Sequence, residues 1–313
     1  MFEAIREAIE NHSTVILHRH SNPDGDALGS QLGLKHLILE NYPGKKVFAV
    51  GDGAGRYAFM PDSIMDQITD EQYENALAII LDTSGKTLIS DPRFTMASAT
   101  ARIDHHLFIE QIAQTEAVDS TYESCCGLIV SMALECGWRM PQISAELLFT
   151  GMVTDSGRFR YDSTNARTFR LASYLMEQKI DTNEIYRHLY ASDLKQVQLR
   201  AAFTQKIKLT EHGVAYIYTT REEMAALDSD LFSISRGMVS VMNDIRGVEI
   251  WANFTEAPEG VMCELRSSRC NINAIAVKYG GGGHMKASGA TLKNREEAMR
   301  MLADLDQLAE EGQ

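Results

Sequence analysis

STVILHRHSNPDGDALGSQLGLKHLILEN (13–41) passes from a short apolar run, through a polar turn, into a long segment with helical apolar spacing. Read as strand, loop and helix, it opens a layered α/β fold. The pattern continues downstream. KKVFAV (45–50) reads as a strand, and ALAIIL (76–81) is apolar at every position, as expected of a strand buried on both faces of a parallel sheet. ATARID (99–104) reads as another strand. CGLIVSMALECG (126–137), ISAELLFTGMVTDSG (143–157) and NARTFRLASYLMEQ (165–178) have helical patterns. The expectation is a parallel sheet with helices on both faces.

From Asn183 to Lys206 the pattern is purely helical, with a break expected near Ser192 and Asp193, where Ser192 would cap the second helix. The chain then starts afresh. GVAYIYTT (213–220), VEIWANFTE (248–256) and GVMCELRSS (260–268) read as strands. REEMAALD, SRGMVSVMNDIRG, NINAIAVKYG and NREEAMRMLADLDQLAEE read as helices. The expected division is a first domain over 1–185, a helical connector over 186–206 and a smaller mixed α+β domain over 207–313. A length of 313 residues suits two domains.

Thirty basic against forty-three acidic residues give a net charge of −13. That balance disfavours a grip on long duplex nucleic acid, where phosphate neutralisation supplies much of the affinity. It leaves room for small anions, since a local cation inverts the field of one cleft. No apolar run approaches the roughly 18 residues of a membrane span. The start, MFEAIREAIENH, reads as an acidic amphipathic helix and not a signal peptide, so a cytoplasmic protein with no membrane partner is expected. The five cysteines include no Cys-x-x-Cys pair and read as reduced, mostly buried thiols.

Four polar motifs stand out. HSNPDGDA (20–27) follows the strand VILH; Asp82 ends ALAIIL; Asp104, His105 and His106 end ATARI; Asp155 lies in GMVTDSGRF. Each alone has an ordinary structural reading as a turn or a helix cap. Together they deliver several carboxylates and imidazoles to the carboxyl edge of one sheet, where open α/β folds bind ligands. Carboxylates in that number repel unless cations lie between them. Oxygen ligands with a few imidazoles and no cysteine suit Mn²⁺ or Mg²⁺ better than a structural zinc. The ligands suffice for two ions, and a carboxylate such as Asp82 can bridge them. Two such ions activate water and clamp a phosphoryl group.

HSNPDGDALGS, LDTS, DHH and VTDSGRF, with YGGGGHMKASGA (279–290) in the second domain, resemble the motifs of the DHH phosphoesterase superfamily. Within it the chain resembles the branch that couples a DHH domain to a DHHA1 domain, the bacterial nanoRNase type. The resemblance covers nearly the whole chain. It implies a DHH catalytic domain, a DHHA1 substrate-binding domain and two Mn²⁺, with Mg²⁺ as the alternative ion. His20 and Asp24 would hold one ion; Asp26, His105 and Asp155 the other; Asp82 would bridge. His106 would contact the phosphate or assist the leaving group, Asp104 would orient the loop or a ligating histidine, and Arg158 would reach the phosphate. His12, His18, His36, His188 and His212 match no motif position and read as surface or packing residues.

The four glycines Gly280 to Gly283 allow close backbone approach, and their N–H groups can form an anion nest. In DHHA1 domains such segments hold the base or terminal phosphate. Arg266, Ser267, Gly281, Gly282, Gly283, His284 and Lys286 are the expected grip. The implied activity is cleavage of short oligonucleotides and linear dinucleotides such as pApA to 5′-mononucleotides, with removal of the 3′-phosphate of 3′-phosphoadenosine 5′-phosphate (PAP). A homodimer is compatible with this reading. Alternatives are a RecJ-like single-strand DNA exonuclease, disfavoured by the acidic charge and the lack of an added OB-like domain, and a non-catalytic nucleotide sensor, disfavoured because every expected ligand position is filled.

Overall fold

The computed structural model describes residues 1–227 and 229–311. It divides the chain into two compact units, Met1–Ala191 and Ser192–Gln313. The first contains α1 (Glu3–Asn11), β1 (Thr14–His18), α2 (Gly25–Asn41), β2 (Lys46–Ala49), β3 (Leu77–Leu81), β4 (Ala99–Asp104), β5 (Thr115–Val118), α3 (Cys125–Glu135), α4 (Gln142–Asp155), α5 (Ala166–Met176) and α6 (Thr182–Tyr190). Its five strands are parallel, in the order β2-β1-β3-β4-β5. The order reverses between β1 and β3, and such a switch point opens a crevice at the carboxyl edge.

Every side chain of β3 is buried, which explains its unbroken apolar run. Leu77, Ile79 and Leu81 face a core shared with α1, α2, α3 and α4. Ala78 and Ile80 face Ile89, Phe94 and Ile112. Helical cover is unequal: long helices pack on one face, while the other is closed by loops and single 3₁₀ turns such as Pro92–Met96 and Asp70–Tyr73.

Helix α2 carries glycine every fourth residue, at Gly25, Gly29 and Gly33, on the side facing α4. A Cβ on Gly29 would lie 2.6 Å from the Leu147 carbonyl oxygen, and one on Gly33 would lie 2.7 Å from the Leu148 side chain. The bare stripe lets α4 lie against α2, which brings the end of α4 toward the start of α2.

The second unit begins with α7 (Leu194–Gln205), then β6 (Lys208–Leu209), β7 (Ala215–Thr219), α8 (Arg221–Ala226), β8 (Ile250–Ala257), β9 (Gly260–Ser267), α9 (Asn273–Lys278), β10 (Gly282–His284), β11 (Ala287–Leu292) and α10 (Arg295–Glu311). One six-stranded sheet runs β10-β11-β9-β8-β7-β6, with β7 and β8 parallel and the other pairs antiparallel. Phe254, Cys263, Leu265 and Leu292 pack one face against Met301 and Leu305 of α10. The opposite face of β7 packs on Phe203 of α7 and on Ile234 and Met242.

The segment read as a connector holds two helices, α6 grouped with the first unit and α7 with the second. Its break falls where expected, but the cap is Asp193, whose side chain accepts the Gln196 N–H, and not Ser192. The stretch SRGMVSVMNDIRG, read as one helix, is helical as far as Met242, in two successive short segments, Ser233–Gly237 and Met238–Met242. Among the described residues no helix is long and apolar enough to cross a membrane.

Candidate metal centre

Each strand on either side of the switch point hands over to a polar loop. His20 follows β1, Asp82 follows β3, and His105 and His106 follow β4. Asp82 adopts a left-handed backbone, φ 49°, a conformation Asp tolerates better than most residues. Asp24 caps α2, its carboxylate accepting the N–H groups of Asp26 and Ala27 at 3.0 Å. The turn-and-cap reading of this motif is therefore correct and compatible with a second role. Asp26 lies in the first turn of α2, and Asp155 ends α4.

These side chains converge. The Nε2 atom of His105 lies 3.4 Å from Asp82 Oδ1, 3.4 Å from Asp155 Oδ2 and 3.7 Å from Asp26 Oδ2. That of His20 lies 3.6 Å from Asp82 Oδ2 and 3.9 Å from Asp24 Oδ1. Asp82 thus presents one oxygen to each histidine. Its Oδ1, fully enclosed, has no hydrogen-bond partner.

The charges conflict. Burial and the neighbouring carboxylates of Asp82 and Asp155 push the Asp26 pKa well above the usual range. Burial, with Asp82 and Asp24 nearby, raises Asp155 to about 7 despite His105. Burial pulls both histidines down, but the close approach of Asp82 and the surrounding carboxylates prevails, raising His20 to about 9 and His105 to about 10. Asp82, although buried, is held below the carboxylate range by His105 and His20.

A divalent cation fits this set. The N···O separations are longer than good hydrogen bonds. They approach the roughly 3 Å between neighbouring ligands in an octahedral shell with bonds of about 2.1 Å. The orphaned Asp82 oxygen would gain a partner. The donors are oxygens and imidazole nitrogens, while the nearby thiols of Cys125 and Cys126 are pushed well up by burial. His20, Asp24 and Asp82 form one group able to hold an ion, and Asp26, His105 and Asp155 another. Asp82, His105 and His106 form a third combination.

His106 faces Asp82 at 3.6 Å, but its firm contact is elsewhere. Its Nδ1 lies 2.7 Å from Asp104 Oδ1. Asp104 is buried and also pairs with Arg102. The carboxylate raises the His106 pKa and leaves Nε2 as the other ring nitrogen. Arg158, expected at the phosphate, stacks on Tyr190, its guanidinium carbon 3.7 Å from the ring centre.

In the second unit, Arg266, Ala287 and His284 align across β9, β11 and β10, which puts the Arg266 and His284 side chains on one sheet face. Arg266 Nη1 donates to Glu264 Oε2 at 3.0 Å, and Ser267 Oγ donates to the Cys270 carbonyl. The Gly280 and Gly281 N–H groups donate to Val277 and Ala276 carbonyls, closing α9. Gly282 and Gly283 belong to β10, and Lys286 lies in its two-residue connection to β11. Bare backbone is needed for packing: a Cβ on Gly281 would lie 2.1 Å from the Gly289 carbonyl oxygen.

Sequence reasoning missed three supports. Cys125 and Cys126, at the start of α3, donate their N–H groups to Asp26 Oδ2 and Oδ1 at 2.7 and 2.9 Å. A helix N-terminus favours such an anion. Arg19 and Arg102 are fully buried beside the histidine loops. An arginine inside the apolar strand ATARID was the available signal for the second.

Residues 14–152 match the family model described as DHH family, N-terminal domain, and residues 232–311 match the DHHA1 domain. The chain is 34% identical over 312 residues to the bifunctional oligoribonuclease and PAP phosphatase NrnA of Bacillus subtilis, covering 99% of this chain and 98% of that one. It is 34% identical to the protein of the same name from Mycoplasma genitalium, covering 96% and 95%. A crystal structure of an exopolyphosphatase-related protein from Bacteroides fragilis superposes with a TM-score of 0.85 at 26% identity, covering 99% of this chain and 95% of that one. Fold and likeness together define an enzyme of the phosphoesterase class. The chain belongs to the DHH family, whose members use divalent metal.

Proposed function

We propose that the protein is a Mn²⁺-dependent phosphodiesterase that degrades short oligoribonucleotides and linear dinucleotides such as pApA to 5′-mononucleotides and also removes the 3′-phosphate of PAP. The observation that carries this reading is the convergence of His20 and His105 on the two oxygens of Asp82. Similarity to the NrnA proteins supports the substrate class. His20 and Asp24 would hold one ion and Asp26, His105 and Asp155 the other, with Asp82 available to both. In support, the donor atoms within each group lie within 4.8 Å of one another. When bound, the ions supply Lewis-acid polarisation of the phosphate and lower the pKa of water.

The remaining work falls to this chain's side chains. Asp104 holds His106 at Nδ1, so the proton passed to the leaving oxygen sits on Nε2. Arg266 and His284 hold the far end of the nucleotide through their side chains, with Ser267 and Lys286 nearby. Gly281, Gly282 and Gly283 act by keeping that surface low. The enzyme works in the cytoplasm, with a homodimer as its assembly. The excess negative charge supports short substrates over long duplexes.

The test is a time course with Mn²⁺ on 5′-labelled di- to decaribonucleotides, alongside PAP, pApA and single-stranded DNA. The shortest RNA should disappear fastest and leave mononucleotides. Preference for long single-stranded DNA would favour the RecJ-like alternative. Binding without turnover of any substrate would leave a nucleotide sensor.

A further inference from the structure

Arg19 and Arg102 are the two largest fully buried side chains among the described residues. Arg19 directly follows β1 and Arg102 lies within β4, and each is tied to the histidine-bearing loop that its strand leads into. Arg19 donates Nε to Gln31 at 3.0 Å, Nη1 to the His20 carbonyl at 3.0 Å and to Asp52 Oδ1 at 2.7 Å, and Nη2 to the Asp52 carbonyl. The second oxygen of Asp52 accepts the Asn22 N–H at 2.6 Å. Asn22 is left-handed, φ 52°. The turn between His20 and Asp24 is thus held at its base by Arg19 and at its middle by the carboxylate that Arg19 orients.

Arg102 brackets the other loop. Nη2 pairs with Asp104 and Nη1 donates to the Glu110 carbonyl at 3.1 Å, so one guanidinium grips both ends of the segment from Asp104 to Glu110. Glu116 lies 3.7 Å from Nη1. The other oxygen of Asp104 receives the His106 N–H and Nδ1. Strand alternation puts residues 102 and 104 on one side, which makes this chain of contacts possible.

Buried ion pairs are poor sources of stability, because desolvation offsets their attraction. A fixed fork of donors is better explained by the position it imposes. We infer that Arg19 and Arg102 are positioning residues, one for each histidine-bearing loop: Arg19, through Asp52, sets the turn that presents His20 and Asp24, and Arg102, through Asp104, sets the His106 ring. The inference rests on the phosphoesterase reading only for its consequence in turnover.

Four variants test it: Arg19→Lys, Asp52→Asn, Arg102→Lys and Arg102→Met. Asp52 is partly exposed, and Asp52→Asn preserves its size, so it remains informative should an Arg19 variant fail to fold. Arg102→Lys does the same for Arg102→Met. Calorimetric titration with Mn²⁺ should show one of two binding steps weakened about tenfold to a hundredfold in Arg19→Lys and Asp52→Asn, the range for groups that orient metal ligands. Arg102→Lys should keep both steps, shift the nitrogen resonance of His106 Nδ1 and lower kcat on bis(p-nitrophenyl) phosphate about tenfold with KM unchanged. That loss should vanish in a His106→Ala background, because residues acting as one unit are not additive. Unchanged Mn²⁺ binding in Asp52→Asn overturns the first half. An unshifted His106 resonance, or a kcat loss that adds in full to that of His106→Ala, overturns the second. A wild-type protein that hydrolyses no diester would sink the functional reading, while the titration and the resonance still decide the arginines.

Discussion

Asp26, His105 and Asp155 form the more buried group, their side chains 0%, 14% and 30% exposed, whereas His20 and Asp24 are 21% and 53% exposed. The buried group is drawn from three elements far apart in sequence. It is oriented by two N–H groups of α3 and by the close approach of α4 to α2. The exposed group comes from a single turn of five residues. A ligand set fixed by the fold loses little freedom on binding, while one carried by a turn must be ordered separately. The comparison teaches that the two halves of one centre can differ in affinity and lability although they share Asp82.

Asp82 joins the halves, and its loss should have the largest effect. Asp82→Ala is expected to lower kcat about 10⁴-fold, taking several kcal/mol for the damage to two ions at ~1.4 kcal/mol per tenfold. Folding should suffer far less, as judged by thermal unfolding. Activity retained at a tenth of wild type would mean that another residue spans the halves.

His106 belongs to neither half in this reading. His106→Ala should leave two Mn²⁺ bound and reduce kcat by about 10²–10⁴, the range of general acid–base assistance. Metal analysis decides the point: a drop to one ion would make His106 a ligand, in the third combination that its distance to Asp82 permits.

A smaller effect is expected from the second unit. Arg266→Ala or His284→Ala should reduce kcat/KM for a dinucleotide about tenfold to a hundredfold, the value of a charge-assisted contact of about 1.5–3 kcal/mol. Bis(p-nitrophenyl) phosphate, which has no far end to hold, should be turned over nearly as before. Equal losses on both substrates would show that these residues support the fold or reach the metal centre.

The mildest signature is in pH. Without metal, His20 and His105 have pKa values raised to about 9 and about 10. Their contribution to stability is complete below about 6.5, their unfolded value, and is lost as pH rises through 9 to 10. Asp155, raised to about 7, adds to the same trend between its unfolded value near 4 and pH 7, because the folded state holds the extra proton. The melting temperature of the metal-free protein should therefore fall from pH 7 to pH 10, and that of the Mn²⁺-loaded protein should fall less. Loading at pH 7 should release protons, seen as buffer-dependent heats. Heats independent of the buffer would show that the imidazoles are already neutral before metal arrives.

Much of this was legible in the residues. Strands β1, β3 and β4 lead within two residues into His20, Asp82 and His105, so fold and site announce themselves together. What escaped reading depended on partners remote in the chain. β5 has four residues and one buried side chain, too little pattern to separate from a loop. β10 is two glycines and a histidine, a strand only because β11 pairs with it. The cysteine pair looked like a question of redox chemistry, yet it is the backbone N–H groups at those positions that matter. Arg102 was visible as a charge in a buried strand, but its two grips lie on residues that only the folded loop brings together.

The glycine stripe of α2 has a consequence for how this enzyme could vary over time. Asp155 reaches the centre from the last residue of α4, so its place is set by the distance between two helix axes. Side-chain volume on α2 is in effect a spacer, and its setting here is zero. Gly29→Ala would alter no charge and no donor, yet it would place a Cβ 2.6 Å from a backbone oxygen of α4 and force that helix outward. A position with no chemistry of its own thereby sets the tolerance of the site, and drift at it would be felt as lost metal long before it was felt as a lost fold.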